Sequence, residues 1–402
     1  MAYIFVADDF TGASDTLATL ARAGLRTRLF RDLPAAGDTD GLEAWGIATP
    51  ARSLGRVAMA ALAARLGAGL APYGPDFLHV KICSTFDSSP EIGNFVLLGQ
   101  GLADALGQAD LAILGGQPSL GRHSIFGTLF ARGPDGQVHR IDRHPVMSAH
   151  PVTPMHEADL IRHLASLGLS GVHRVGRGQR GQAFPRFYDL LDQTDVAAAG
   201  LDLRASRQRL VVLGASSVAE AWLATRPPAP KIARPRQAAT GPVFAFAGSR
   251  SSLTTAQIGA ADGLARRPLA PMDLIADRRE VDLVVTWARE RLERGQDCIV
   301  YLSADDAEGV SPADLAQRGA AFVASVVATA PVGGVLVAGG DTSSAIVNSL
   351  APAWLDYAGD LCAGVPILRA QIDGIELPMA LKGGQMGDRD FFARAVAVMR
   401  GN

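Results

Sequence analysis

The sequence predicts an α/β protein of two domains with largely parallel sheets, joined by a proline-rich linker. Three observations carry this. Short apolar runs recur without alternation, as in strands buried on both faces, and each leads through small polar residues into an amphipathic run. At 402 residues the chain exceeds the usual size of a single core. Residues 226–242 hold five prolines and almost no apolar periodicity, the composition of an extended connector. The expected boundaries are 1–228 for a first α/β domain, 229–242 for the linker and 243–402 for a second α/β domain.

The opening stretch sets the pattern. Ile4-Phe5-Val6-Ala7 reads as a buried strand, Asp8 and Asp9 follow at once, and Ala13–Ala23 is an amphipathic helix that Gly24 can end. Leu25–Phe30 returns as a strand and closes a β-α-β unit. The two carboxylates thus stand at the carboxyl end of a strand, where open α/β sheets bind ligands. Either they serve a polar ligand, or one caps the helix and the other is solvated.

Ala44–Thr49 is the next strand and Leu54–Leu66 an Ala-rich helix. Phe77–Ile82 then delivers Lys81, Cys83, Ser84 and Thr85 to a strand end, before the loop Phe86-Asp87-Ser88-Ser89-Pro90 and a helix over Glu91–Leu106. Hydroxyls, a cation and helix amides grouped at one turn suit a carboxylate or phosphate, although an ordinary Ser/Asp cap has the same composition. Leu111–Leu114 is a strand ending in Gly115-Gly116-Gln117-Pro118, and Thr128–Arg132 pairs with Gln137–Ile141 as a hairpin across Pro134-Asp135-Gly136. The stiff loop His150-Pro151-Val152-Thr153-Pro154-Met155 leads into a helix over Glu157–Leu167. Phe187–Leu191 and Leu210–Leu213 are strands, and Ala215–Ala224 is a closing helix.

Beyond the proline-rich stretch the alternation restarts. Val243–Ala247 is a strand followed by Gly248-Ser249-Arg250-Ser251-Ser252 and a helix from Thr254. Helices over Val281–Arg294 and Ala313–Ala328 flank the strand Cys298–Ser303. Val335–Ala338 runs into Gly339-Gly340-Asp341-Thr342, and Leu377–Leu381 into Lys382-Gly383-Gly384, with a last helix from Asp388. Glycines let a backbone approach a phosphate closely, while hydroxyls and amides donate to it. Three such loops in one half point to a nucleotide triphosphate.

Composition narrows the field. A net charge of −2 with 19% charged residues gives no electrostatic footprint for nucleic acid or a membrane surface. No apolar run is long enough to span a bilayer, and three scattered cysteines fit reduced thiols in a cytoplasm. The histidines form no His-x-x-x-His pair, so no zinc site is expected. A P-loop is excluded because no Gly-Lys dipeptide occurs, and no G-x-G-x-x-G follows an expected strand. Only Lys81, Lys231 and Lys382 are lysines among 38 basic residues. A chain that otherwise uses arginine keeps lysine where a compact ammonium is needed, which marks Lys81 and Lys382.

These motifs, taken together, resemble the four-carbon acid sugar kinases over nearly the whole chain. Ala7-Asp8-Asp9-Phe10-Thr11-Gly12-Ala13-Ser14-Asp15 is similar to the family's opening motif. Lys81 with Ser84-Thr85, Gly121-Arg122 and the His150–Met155 loop follow in the family's order, and the three second-half loops resemble its ATP-binding loops. The resemblance implies a first domain that holds an acid sugar and a second that holds ATP, with transfer across the cleft. By matching position Asp8, Asp9, Lys81, Ser84, Thr85 and Arg122 would bind the acid. Ser249, Gly339, Gly340, Asp341, Thr342, Lys382, Gly383 and Gly384 would bind the nucleotide, with Mg²⁺ on its phosphates. Asp9 or Asp341 would orient the attacking hydroxyl. Oligomeric state stays open, a homodimer included.

One departure stands out. Where the family reads Asp-Ser-Thr-Leu-Arg-Gly-Asn, this chain has Cys83-Ser84-Thr85-Phe86-Asp87-Ser88-Ser89, so a basic side chain is replaced by Asp87. The expected substrate is therefore a tetronate, a 3-oxo-tetronate, or a branched or five-carbon oxo-acid such as 3-oxo-isoapionate whose extra polar group meets Asp87 or Ser88. The alternative for Asp87 is that it faces solvent. The alternative of another class is a non-catalytic sensor of sugar acid and nucleotide.

Overall fold

The structure is a computed structural model that describes residues 2–150, 152–227, 238–305, 308–384 and 386–401. Its chain divides into two compact units, Met1–Ile232 and Ala233–Asn402. The linker expected at 229–242 falls largely outside the described residues.

The first unit runs β1 (Tyr3–Ala7), α1 (Phe10–Arg22), β2 (Thr27–Phe30), β3 (Ala44–Ala48), α2 (Arg56–Leu70), β4 (Phe77–Lys81), α3 (Phe95–Ala105) and β5 (Asp110–Gly115). It continues with β6 (Arg122–Ile125), β7 (Thr128–Arg132), β8 (Val138–Arg140), α4 (Leu160–Ser166), β9 (His173–Val175), β10 (Arg186–Asp189), α5 (Gln193–Ala205), β11 (Leu210–Gly214) and α6 (Ser217–Ala224). The main sheet has the order β2-β3-β1-β4-β11-β5-β10-β9, and every pairing in it is parallel. All five residues of β1, β3 and β11 are buried, as their unalternating apolar sequence demands. Strands β6, β7 and β8 form a separate antiparallel sheet.

Inside the sheet, His79 of β4 accepts a hydrogen bond at Nδ1 from the Tyr3 hydroxyl at 2.9 Å and donates from Nε2 to the Gly214 carbonyl at 3.1 Å. Burial pulls its pKa down to about 3, so the ring is neutral at ordinary pH.

The second unit contains β12 (Val243–Ala247), α7 (Ser252–Gly259), β13 (Ala265–Leu269), α8 (Pro271–Ala276), α9 (Arg278–Glu293), β14 (Cys298–Leu302) and α10 (Pro312–Thr329). After these come β15 (Gly334–Ala338), α11 (Gly340–Leu350), β16 (Leu355–Cys362), β17 (Val365–Ile372), β18 (Ile375–Lys382) and α12 (Phe391–Met399). The strand order is β13-β14-β12-β15-β18-β17-β16, parallel through β18 and antiparallel for β17 and β16. Its core packs Val243, Ala245 and Leu336 from the sheet against Phe391, Phe392 and Val396 of α12. Each large side chain buried this way contributes roughly 1.5–3 kcal/mol.

Two expectations are corrected here. The helices expected at Glu91–Leu106 and Glu157–Leu167 are shorter, starting after the side-chain caps Asn94 and Asp159. A G-x-G-x-x-G, Gly176-Arg177-Gly178-Gln179-Arg180-Gly181, does follow a strand, the unexpected β9, but the chain after it is irregular and opens no helix. It therefore lacks the helix N-terminus that receives a pyrophosphate in a dinucleotide fold.

Candidate active site

In the first unit, neighbouring parallel strands deliver their carboxyl ends to one edge. Ala7 is in register with Ala48 and with Lys81, and Lys81 with Gly214. The strand order turns about β1, whose neighbours β3 and β4 lie on opposite sides, and such a point is where open α/β sheets place ligands.

Asp9 is the N-cap of α1. Its Oδ1 accepts from the Gly12 amide at 2.6 Å and its Oδ2 from the Thr11 hydroxyl at 2.7 Å. Asp8 is not solvated, as the capping alternative supposed; it is 7% exposed. Between the carboxylates lies Arg52, which the sequence reading did not single out. It sits in a 3-10 turn, Ala51–Ser53, just past β3. Its Nη2 is 3.2 Å from Asp8 Oδ2, and its Nη1 is 3.6 Å from Asp9 Oδ2 and 3.8 Å from Asp87 Oδ2. Arg52 lies four positions past the end of β3, a placement that does not by itself set it apart from the chain's other arginines.

The same contacts correct the expectation that a basic group is lost from this region. Asp87 does not face solvent: it is buried, accepts from the Thr85 hydroxyl at 2.5 Å, and pairs with an arginine that comes from another strand end. His163 of α4 supports this loop by donating from Nε2 to the Phe86 carbonyl at 2.9 Å, where Phe86 takes a left-handed φ of 58°.

The carboxylates differ electrostatically. Burial pushes the Asp8 pKa up, and Arg52 offsets only part of that rise, while neighbouring Asp9 adds to it. For Asp9 and Asp87 burial acts in the same sense, but Arg52 and the local hydrogen bonds outweigh it and hold both below the usual range. Asp8 Oδ1 is buried with no hydrogen-bond partner. It is the acceptor with capacity to spare.

Lys81 is 4% exposed and donates to the Ile82 carbonyl at 2.8 Å. A Cβ on Gly12 would lie 2.5 Å from its Nζ, so a larger residue there would have to displace the lysine. Ser84 is half-buried beside Thr85. Arg122 donates from Nη1 to the Leu120 carbonyl, and its Nε is buried without a partner. Burial lowers its pKa, with Cys83 and Asp15 opposing, which places it close to the same loop. Cys83 is itself a poor nucleophile, because burial pushes its thiol up. The Nδ1 of His150 accepts from the Thr153 amide at 3.1 Å, so in the neutral ring the proton sits on Nε2.

In the second unit the three glycine-rich loops are adjacent, since Ala247 registers with Ala338 and Ala338 with Lys382. Gly248 and Ser249 both donate to the Ala338 carbonyl at 3.0 Å, and Gly339 donates to the Lys382 carbonyl at 2.8 Å. Gly339 has φ 129° and immediately precedes α11, whose first turn holds Gly340, exposed Asp341 and buried Thr342. The three loops pack closely: a Cβ on Gly248 would lie 2.2 Å from Thr342 Oγ1, and one on Gly384 would lie 2.9 Å from Ser249 Oγ. Lys382 is wholly buried, donating to Thr254 Oγ1 at 3.2 Å and to the Gly383 carbonyl at 3.1 Å. Burial brings its pKa down to about 8, with Cys362 opposing.

Comparison with known proteins gives each unit a family description. A family described as a sugar-binding N-terminal domain matches residues 3–222, and one described as a nucleotide-binding C-terminal domain matches 244–392. The chain belongs to the four-carbon acid sugar kinase family. A 3-oxo-isoapionate kinase of Paraburkholderia graminis is 33% identical, over 96% of this chain and 92% of the relative. A 3-oxo-tetronate kinase of Methylobacterium radiotolerans is 31% identical, over 98% of each. Solved structures from Salmonella typhimurium LT2 and Haemophilus influenzae share the fold, with TM-scores of 0.77 and 0.70 at 22% and 23% identity. They cover 98% of this chain, and 98% and 100% of their own. This member of the family is a sugar-acid kinase and uses ATP. Among its described residues no helix is long and apolar enough to cross a membrane.

Proposed function

We propose that the enzyme transfers the γ-phosphoryl group of ATP to a hydroxyl of a short-chain 3-oxo sugar acid, favouring a branched or five-carbon acid of the 3-oxo-isoapionate kind. The observation that carries this is the cluster of three buried carboxylates around Arg52. One guanidinium balances Asp8, Asp9 and Asp87, while Asp8 Oδ1 remains without a partner.

Arg52 has both Nη atoms turned to carboxylates, so Arg122, which makes no ion pair among the described residues, is the group to read the acid's own carboxylate. Lys81, Ser84 and Thr85 supply further polar contacts at the same strand end. Asp87 accepts from the additional hydroxyl that a branched acid carries. In the reaction the substrate hydroxyl oxygen bonds to the γ-phosphorus as the bond to the β–γ bridging oxygen breaks. ADP leaves, and the hydroxyl proton passes to a carboxylate. Asp8 fits that role better than Asp9, because Asp9 has both oxygens engaged and a lowered pKa.

Ser249, Gly339, Gly340, Thr342, Gly383 and Gly384 would cradle the triphosphate. Among the described residues no group of three or more His, Cys, Asp or Glu side chains could hold a metal ion. Mg²⁺ would be held largely by ATP itself, with exposed Asp341, in the first turn of α11 beside these loops, as the protein carboxylate next to it. The ion, when bound, neutralises charge on the transferring phosphoryl group.

Steady-state kinetics on 3-oxo-isoapionate, 3-oxo-tetronate, D-erythronate and D-threonate test the reading. The first two should be turned over with higher kcat/KM than the plain tetronates, the branched acid highest. Equal efficiency on all four would remove the proposed preference.

A further inference from the structure

Four of the described carbonyls in the loop after Lys382, those of Gly384, Met386, Gly387 and Asp388, accept hydrogen bonds from α7 and its N-cap. Gln257 of α7 donates from Nε2 to the carbonyls of Met386, Gly387 and Asp388 at 3.0, 3.0 and 2.9 Å. One α7 turn earlier, Thr254 donates to the Gly384 carbonyl at 3.2 Å, and Ser251, the N-cap, does so at 2.8 Å. Lys382 reaches the Gly383 carbonyl from beneath. Gln257 is completely buried, and its Oε1 has no partner, so the side chain is placed for donation alone.

A trans peptide points its C=O and the following N–H in opposite directions. Carbonyls of Met386 and Gly387 drawn toward α7 therefore turn the amides of Gly387 and Asp388 away from it. The loop's outer surface becomes one of donors, which suits an anion.

We propose that Gln257 is a positioning residue for the nucleotide phosphates. It touches no phosphate; it fixes the peptide orientation that lets the Gly387 and Asp388 amides donate to them. The inference rests on the reading of the second unit as the ATP site. Gln257→Leu removes the donors, and Gln257→Glu replaces them with an acceptor facing three carbonyls.

Titration calorimetry of the full-length protein with ATP, adenosine and inorganic tripolyphosphate tests it. Both variants should bind ATP and tripolyphosphate at least ~10-fold more weakly, as expected for losing charge-assisted contacts, with adenosine affinity and the KM for the sugar acid unchanged. Parallel loss of adenosine binding would mean a damaged fold and would overturn the proposal, as would unchanged tripolyphosphate binding. Should both Gln257 variants fail to fold, Gln257→Asn, which keeps the amide but withdraws its donors from the three carbonyls, must show the same selective loss for the proposal to stand. A wild-type protein that binds adenosine but not tripolyphosphate overturns this inference and leaves the nucleotide site; one that binds neither ATP nor adenosine overturns both.

Discussion

Arg52 Nη2 lies 3.2 Å from Asp8 Oδ2 although 44 residues separate the two in sequence. The pair joins the ends of β1 and β3, and among the described ion pairs Arg52 is the arginine that Asp8, Asp9 and Asp87 share. Breaking a buried pair costs about 3–5 kcal/mol, and partial exposure of Arg52 puts this one toward the lower end. Arg52→Ala should therefore melt several degrees below wild type and lose sugar-acid turnover. Arg52→Lys restores charge without the fork and should recover stability more than kcat/KM. Calorimetry and kinetics on both variants decide it; an Arg52→Ala protein melting with wild type would show the pair to be stability-neutral.

Asp87→Asn keeps the shape of the side chain and removes its charge. If Asp87 accepts from the extra hydroxyl of a branched acid, kcat/KM for that acid should fall about 10- to 100-fold, within the range for a site built to hydrogen-bond one substrate group. Plain tetronates should change little. Efficient turnover of an unsubstituted tetronate by wild type, unaffected by the substitution, would return the chain to a simple tetronate specificity.

Gly12→Ala tests the closeness of α1 to Lys81. In an exposed helix interior, replacing Gly by Ala stabilises by roughly 1 kcal/mol. Here the added methyl would stand 2.5 Å from Lys81 Nζ and 2.8 Å from Asp9 Oδ1, so the sign should reverse. Reduced thermal stability together with a raised KM for the acid is expected. A more stable, fully active variant would mean that the lysine can move aside at no cost.

Much of this architecture was legible because buried parallel strands cannot disguise themselves: β1, β12 and β15 are apolar at every position and were located to within one or two residues. The missed strands fail that pattern for physical reasons. Edge strand β13 reads Ala-Arg-Arg-Pro-Leu, and β16 carries two aspartates with most of its residues only half-buried. Scarcity of lysine proved informative, since both Lys81 and Lys382 are buried at strand ends. Arg52 was invisible for the opposite reason. It is one of many arginines, and its meaning depends on β3 pairing with β1, a non-local fact that no local pattern encodes.

His79 links stability to pH. Its folded pKa of about 3 lies below the unfolded value of 6.5, so between these limits the unfolded chain binds the extra proton and stability falls with falling pH. From pH 7 to 4.5 the loss attributable to this one ring is roughly 2–3 kcal/mol. Urea titrations at both pH values on wild type and His79→Gln check it. The variant, able to keep one hydrogen bond without titrating, should show a shallower pH slope; equal slopes would assign the acid sensitivity to other groups.

The two buried lysines should separate the two substrates. Lys382 lies under a loop assigned to the nucleotide, and Lys81 lies at the strand end assigned to the acid. Removing one charge-assisted contact costs roughly 1.5–3 kcal/mol, or about 10- to 100-fold in affinity. Lys382→Ala should thus raise the KM for ATP with little change for the acid, and Lys81→Ala should do the reverse. For Lys382 the sign of the pH dependence also follows. Its depressed pKa of about 8 means the ammonium loses its proton as pH rises through that value, so wild-type KM for ATP should climb between pH 7 and 9. In Lys382→Met, which cannot titrate, that climb should vanish. If both alanine variants raised the KM for ATP alike and spared the acid, the assignment of one substrate to each unit would be wrong.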